Sequence, residues 1–153
     1  MDHKYPVRIG RAEGEVGLIF PDFPEIASWH PETTSAEELR AQAKDALMVA
    51  LHTRVMENDE IPGSSDMEDA DFYVPLGSLT VMKLALYERM REEGLSRRAL
   101  AERLKKSNTI ANRLLDLTHN SAVSQLEAAM SVLGRQFVIY SAPREGNTTH
   151  KAR

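Results

Sequence analysis

The stretch LSRRALAERLKKSNTIANRLLD, residues 95–116, sets the class of this chain. Ser96 is placed to cap one short helix running through Leu104, and Ser107 or Asn108 to start a second running through Leu117. Leu100, Ala101 and Leu104 of the first, with Ile110, Leu114 and Leu115 of the second, fall at helical spacings that turn them inward. Two short helices joined by three or four residues form a helix-turn-helix, whose second helix reads the major groove. The outward residues are then Ser107, Asn108, Thr109, Asn112 and Arg113. Asn pairs bidentately with adenine, Arg with guanine, and Ser or Thr with phosphate. Arg97, Arg98, Lys105 and Lys106 flank them and suit the neutralisation of backbone charge. Two positions depart from the usual pattern: Lys105 stands where glycine is common in the turn, and Ala111 where valine or isoleucine fills the core. A plain helical bundle with a solvated basic face would leave a similar stripe.

Working outward, the same half continues helical. Val81, Leu84, Tyr87 and Met90 mark a helix that stops at Gly94, and Ser124 begins another through Leu133, followed by Gly134. FVIY, residues 137–140, has strand composition and would require pairing from elsewhere.

The first half has a different character. YPVRIG and EVGLIF alternate around a Glu-Gly-Glu turn as a hairpin, with prolines 21 and 24 ending the second strand. EIASW suggests a short third strand. Ser35 then caps a long helix, with Glu38 three residues on and Ala36, Leu39, Ala43, Ala46, Leu47, Ala50, Leu51 and Val55 at helical spacing. NDEIPGSSDMEDAD reads as an exposed acidic loop and FYVPL as a fourth strand. The expected fold is α+β: a β-β-β-α-β domain over 1–76, an all-α helix-turn-helix domain over 77–141, and a disordered tail over 142–153.

Charge divides along the same line. Residues 1–76 carry 6 Lys or Arg against 16 Asp or Glu, a net of −10, whereas residues 77–153 carry 13 against 7, a net of +6. An acidic half repels nucleic acid and attracts a basic surface; a basic half suits phosphates. The 153 residues include no cysteine, which excludes disulfides and thiolate chemistry. No run approaches the roughly 18 apolar residues of a membrane span, and MDHKYPVRIG lacks a secretory design, which fits a cytoplasmic protein. The five histidines show no metal-ligand spacing, and no cofactor is implied.

The order and spacing of several segments resemble the HicB-type antitoxins of bacterial toxin-antitoxin pairs. They are YPV (5–7), FPDFPEI (20–26), AEELRAQAKDALMVAL (36–51), EIPGSS (60–65), the run from Val74 to Leu104, and the run from Asn112 to Ile139. The resemblance implies a partial ribonuclease-H-like first domain that covers a small basic messenger-RNA-cleaving toxin of the HicA type. It implies a second domain that forms a homodimer or dimer of dimers and represses its own operon on operator DNA. The toxin contacts it suggests are Glu13, Glu15, Asp22, Phe23, Pro24 and Glu25, while HPETT replaces the family's usual Gly-Asp-Thr before the long helix. Arg113 stands in the family's RLL motif.

Two other classes compete. A one-component regulator would need an enclosed, mainly apolar ligand pocket in the first half. A nuclease would need carboxylates clamping two metal ions about 4 Å apart. The first strand offers no carboxylate, and Asp45 and Glu57 read more simply as solvated helix charges.

Overall fold

The computed structural model describes residues 3–143, so the tail expected over 142–153 lies, from residue 144 on, outside the described residues. The first half forms β1 (Lys4–Ala12), β2 (Glu15–Ile19), β3 (Ser28–Pro31), α1 (Ala36–Glu57) and β4 (Phe72–Pro75). The strands make one antiparallel sheet in the order β3-β2-β1-β4. Gly14, at φ 73°, turns the β1–β2 hairpin between its two glutamates. The third strand starts later than EIASW suggests. Phe23 N–H donates to Phe20 O and Ile26 N–H to Phe23 O, which winds residues 20–26 into successive turns first.

Alternation gives the sheet two unlike faces. Tyr5, Val7, Val16, Leu18, Phe20 and Val74 are buried with Leu39, Ala43, Leu47, Leu51 and Val55 of α1. On the other face, Gly10 pairs with Gly17 and Gly17 with Trp29, so the indole lies flat across a glycine track. A Cβ on Gly17 would sit 2.8 Å from the Trp29 ring. Trp29 and Ile19 remain about half exposed there.

The acidic loop is laid down along the sheet. Ser64 Oγ donates to Lys4 O, Tyr5 O–H to Pro62 O at 2.7 Å, and Ile9 N–H to Asp71 Oδ2 at 2.6 Å. Burial pushes the Tyr5 phenol up to about 12.

The second half comprises α2 (Ser78–Glu92), α3 (Arg97–Leu104), α4 (Asn108–Leu115) and α5 (Val123–Val132). Gly94 and Gly134 take left-handed φ values just past α2 and α5, where Leu95 and Arg135 N–H reach back to Met90 and Met130 carbonyls. α4 stops at Leu115 and not Leu117, because Asp116 is extended and its carboxylate takes the Thr118 N–H and hydroxyl. α5 starts at Val123, one residue before Ser124, with Ala122 at its N-cap. The strand expected at FVIY is not formed within the chain: Phe137–Tyr140 has no assigned strand pairing, and Val138, Ile139 and Tyr140 are 62%, 72% and 89% exposed.

Gly17→Ala should destabilise the protein by about 1–3 kcal/mol, because a rigid ring and not a flexible chain end must move. Trp29 is the lone tryptophan. A denaturant titration followed by its fluorescence should show both a lower midpoint and a red-shifted native emission.

Candidate functional site

α3 and α4 pack across a three-residue turn, with Ala101 and Ala111 both buried at their junction. Ala111 therefore supplies close approach where a branched side chain would supply bulk. Lys105 adopts φ 54°, ψ 43°, the left-handed conformation that glycine usually takes, and its N–H and that of Lys106 satisfy Glu102 and Ala101 carbonyls. The turn keeps its geometry without glycine. Ser107 caps α4 by accepting from Ile110 N–H at 3.3 Å.

The buried side of α4 is Ala111, Leu114 and Leu115. Its other side exposes Asn108, Thr109, Asn112 and Arg113, beside exposed Ser107, Lys105, Lys106 and Arg98. Eight of the nine residues expected at a DNA face are thus brought onto the α3–α4 surface. Arg98 is partnered across one turn by Glu102 at 3.3 Å, a weak exposed pair. Arg97 departs from the expectation: its guanidinium turns back to donate to Val55 O of α1 at 2.9 Å and touches Met56. It serves the junction between the halves, where α1 ends and needs donors.

One residue of this site carries no signature in the helix-turn-helix stretch. Lys83 of α2 is 1% exposed, and its ammonium donates to Arg113 O (2.9 Å), Asp116 O (2.6 Å) and His119 O (2.6 Å). It neutralises the C-terminal end of α4 and ties down the loop after it. Burial lowers its pKa and the nearby Asp116 carboxylate opposes that. Thr118 and then His52 and Lys83 hold the Asp116 carboxyl below its ordinary range. Ser121 Oγ adds a fourth donor by reaching Arg113 O at 3.2 Å. The clue in the sequence is spacing: Lys83 stands three, four and seven residues before Leu86, Tyr87 and Met90 on the core side of α2.

The residues expected to meet a toxin fall in two places. Glu13 and Glu15 are exposed at the hairpin tip, whereas residues 22–25 lie past the other end of β2, about 16 Å away along a five-residue strand. In the second group Phe23 is 0% exposed and packs edge-on against Tyr5 with centroids 5.0 Å apart, so as a contact residue it is corrected to core. Asp22 accepts from the Ser65 N–H and hydroxyl and fastens the 63–66 loop. Pro24 and Glu25 are on the surface. Glu25 accepts from Arg54 Nε at 2.7 Å, and that hydrogen bond holds its carboxyl below the usual range. Asp69 and Asp71 are likewise engaged, by Arg8 and by Ile9 N–H.

A four-stranded antiparallel sheet with one long helix is thus followed by four shorter helices, of which α3 and α4 are joined by a three-residue turn. The family model for "HicB_like antitoxin of bacterial toxin-antitoxin system" matches residues 4–85. The chain belongs to that family. It is 30% identical over 137 residues to Antitoxin HicB of Pseudomonas fluorescens (strain Pf0-1), covering 89% of this chain and 92% of that one. It is 28% identical over 134 residues to Antitoxin HicB of Escherichia coli (strain K12), covering 87% and 95% respectively. A third relative, Antitoxin HicB 2 of Photorhabdus laumondii, is 28% identical over 132 residues, covering 86% and 91%.

Lys83→Met should destabilise the fold by about 3 kcal/mol, since an isosteric apolar chain leaves buried carbonyls unpaired. Urea unfolding measures it. Lys83→Arg is expected to recover only part, because a planar fork cannot match three converging acceptors.

Proposed function

We propose that this antitoxin covers a small basic RNA-cleaving toxin of the HicA type with its acidic half and represses its own operon with α3 and α4. It acts by binding and not by catalysis, in the cytoplasm where both RNA and operator are found. The observation that carries this reading is the match of charge to architecture: the half with net charge −10 is the sheet and α1, and the half with net charge +6 presents the helix-turn-helix. Toxins that bind RNA are basic, and an acidic face both attracts them and competes with their substrate.

Base contacts are assigned to Asn108, Thr109, Asn112 and Arg113 on the exposed side of α4, and phosphate contacts to Ser107, Lys105, Lys106 and Arg98. Reading by two-fold half-sites requires a homodimer or dimer of dimers. The exposed β-forming run Val138–Ile139–Tyr140 supports self-association of the second half. On the acidic half, Glu13, Glu15, Pro24 and Glu25 are the expected toxin contacts that reach the surface.

The deciding experiment mixes the purified full chain with the HicA-type toxin of the same genome and a reporter messenger RNA. Stoichiometric protection of the RNA supports the antitoxin assignment for this pair; undiminished cleavage at excess antitoxin rejects it. On DNA, Arg113→Ala should weaken operator binding by about 1–3 kcal/mol and relax preference at one base pair. Lys106→Ala should weaken all sequences alike and lower the salt slope by about 1. Binding titrations at several salt concentrations separate the two outcomes.

A further inference from the structure

α1 carries two apolar stripes, and only one is used by the sheet. Leu39, Ala43, Leu47, Ala50, Leu51 and Val55 face the core. Ala46, Val49 and Thr53, spaced i, i+3 and i+7, line a cleft of about 730 Å³ between α1 and residues 25–28, with the buried Ala50 also in its wall and Ile26 on the opposite side. Val49 is 67% exposed in the middle of a 22-residue helix, where a branched aliphatic side chain gains little from water. The rim of the cleft is acidic: Glu25, Asp45, Glu57 and Asp59. Its one cation, Arg54, is already engaged by Glu25 at 2.7 Å and by Glu60 O at 3.0 Å.

An apolar wall inside an acidic rim selects its occupant. A second copy seated on this flank would bring the same four carboxylates against themselves, and nucleic acid would be repelled. The cleft lies open along α1, unlike the enclosed pocket that a small apolar ligand needs. We infer that the cleft is the docking site for a cationic amphipathic segment of the toxin, with aliphatic groups on Ala46, Val49 and Ile26 and Lys or Arg on the carboxylate rim. This rests on the antitoxin assignment and moves its principal contact surface from the hairpin tip to the flank of α1. Glu25 alone of the sequence-predicted contacts belongs to it.

The test uses the full chain and an inactive variant of the HicA-type toxin of the same genome, followed by surface binding kinetics. Val49→Glu, Asp45→Lys with Glu57→Lys, and Trp29→Ala are compared, each checked for native circular dichroism. All the replaced side chains are exposed. Val49→Glu should weaken binding at least tenfold, and the double reversal should slow association several-fold at low salt and flatten its salt dependence. Trp29→Ala, on the sheet face turned away from α1, should stay within twofold of wild type. If wild type binds but Val49→Glu and the double reversal both match it, the cleft is not the site and the antitoxin assignment stands. If wild type itself does not bind, the assignment fails and the cleft's role falls with it.

Discussion

The structure depends on how α1 ends. A helix leaves its last carbonyls without intrahelical donors. Here several donors come from the other half of the chain. Tyr87 O–H reaches Arg54 O at 3.3 Å and Asp59 O at 2.6 Å, Arg91 reaches Asn58 O, and Arg97 reaches Val55 O. Three cationic or hydroxyl side chains on α2 and α3 thus add to the backbone N–H groups of Asn58 and Asp59 and bind the end of α1 and its C-cap to the second half. Asn58, left-handed at φ 61°, directs the chain away so that these groups can approach. The buried residues of both halves form a single core cluster.

This junction explains which expectations held on the page of the sequence and which needed coordinates. Local rules were enough for the hairpin around Gly14, the Ser35, Ser96 and Ser107 caps, and the stops near Gly94 and Gly134, because each is set by residues within one turn. Of the inward stripe expected of α4, Leu114 and Leu115 are buried, whereas Ile110 stays partly exposed and Ala111 takes the core position. What was illegible is contact between segments far apart in sequence. Arg97 looks like any flanking cation until Val55, 42 positions earlier in the last turn of α1, is seen beside it. Phe23, between two prolines, reads as a loop residue until Tyr5 and Arg54 close over it. Gly10 and Gly17 carry no special meaning until register sets them beneath one indole. FVIY has strand composition, but composition does not supply a partner.

The same logic accounts for the second apolar stripe of α1. A helix read against one sheet needs one buried face, so Val49 and Ala46 pass in sequence as incidental members of an alanine-rich helix. Set beside residues 25–28, they become the wall of a cleft whose rim is acidic. The strongly negative charge of the first half is therefore not spread evenly as a solvating coat. Part of it is engaged at the surface by the chain's own groups, where Arg8 and the Ile9 N–H hold Asp69 and Asp71, and part frames a surface with unburied aliphatic groups.

α1 consequently has three distinct attachments: the sheet on one side, the open cleft on another, and the helix-turn-helix at its end. There His52 Nδ1 of α1 lies 3.7 Å from Asp116 Oδ1, beyond hydrogen-bond distance. Asp116 is the residue that stops α4, its carbonyl accepts from Lys83, and its carboxylate holds Thr118. The end of α4 is thus fixed by groups from α2 and from its own following loop at one point. A partner seated along α1 and a duplex seated along α4 would act on one continuous set of contacts. The contacts of α1 and its C-cap with Tyr87, Arg91 and Arg97 join the two halves and are the place to look for any free energy of coupling between them.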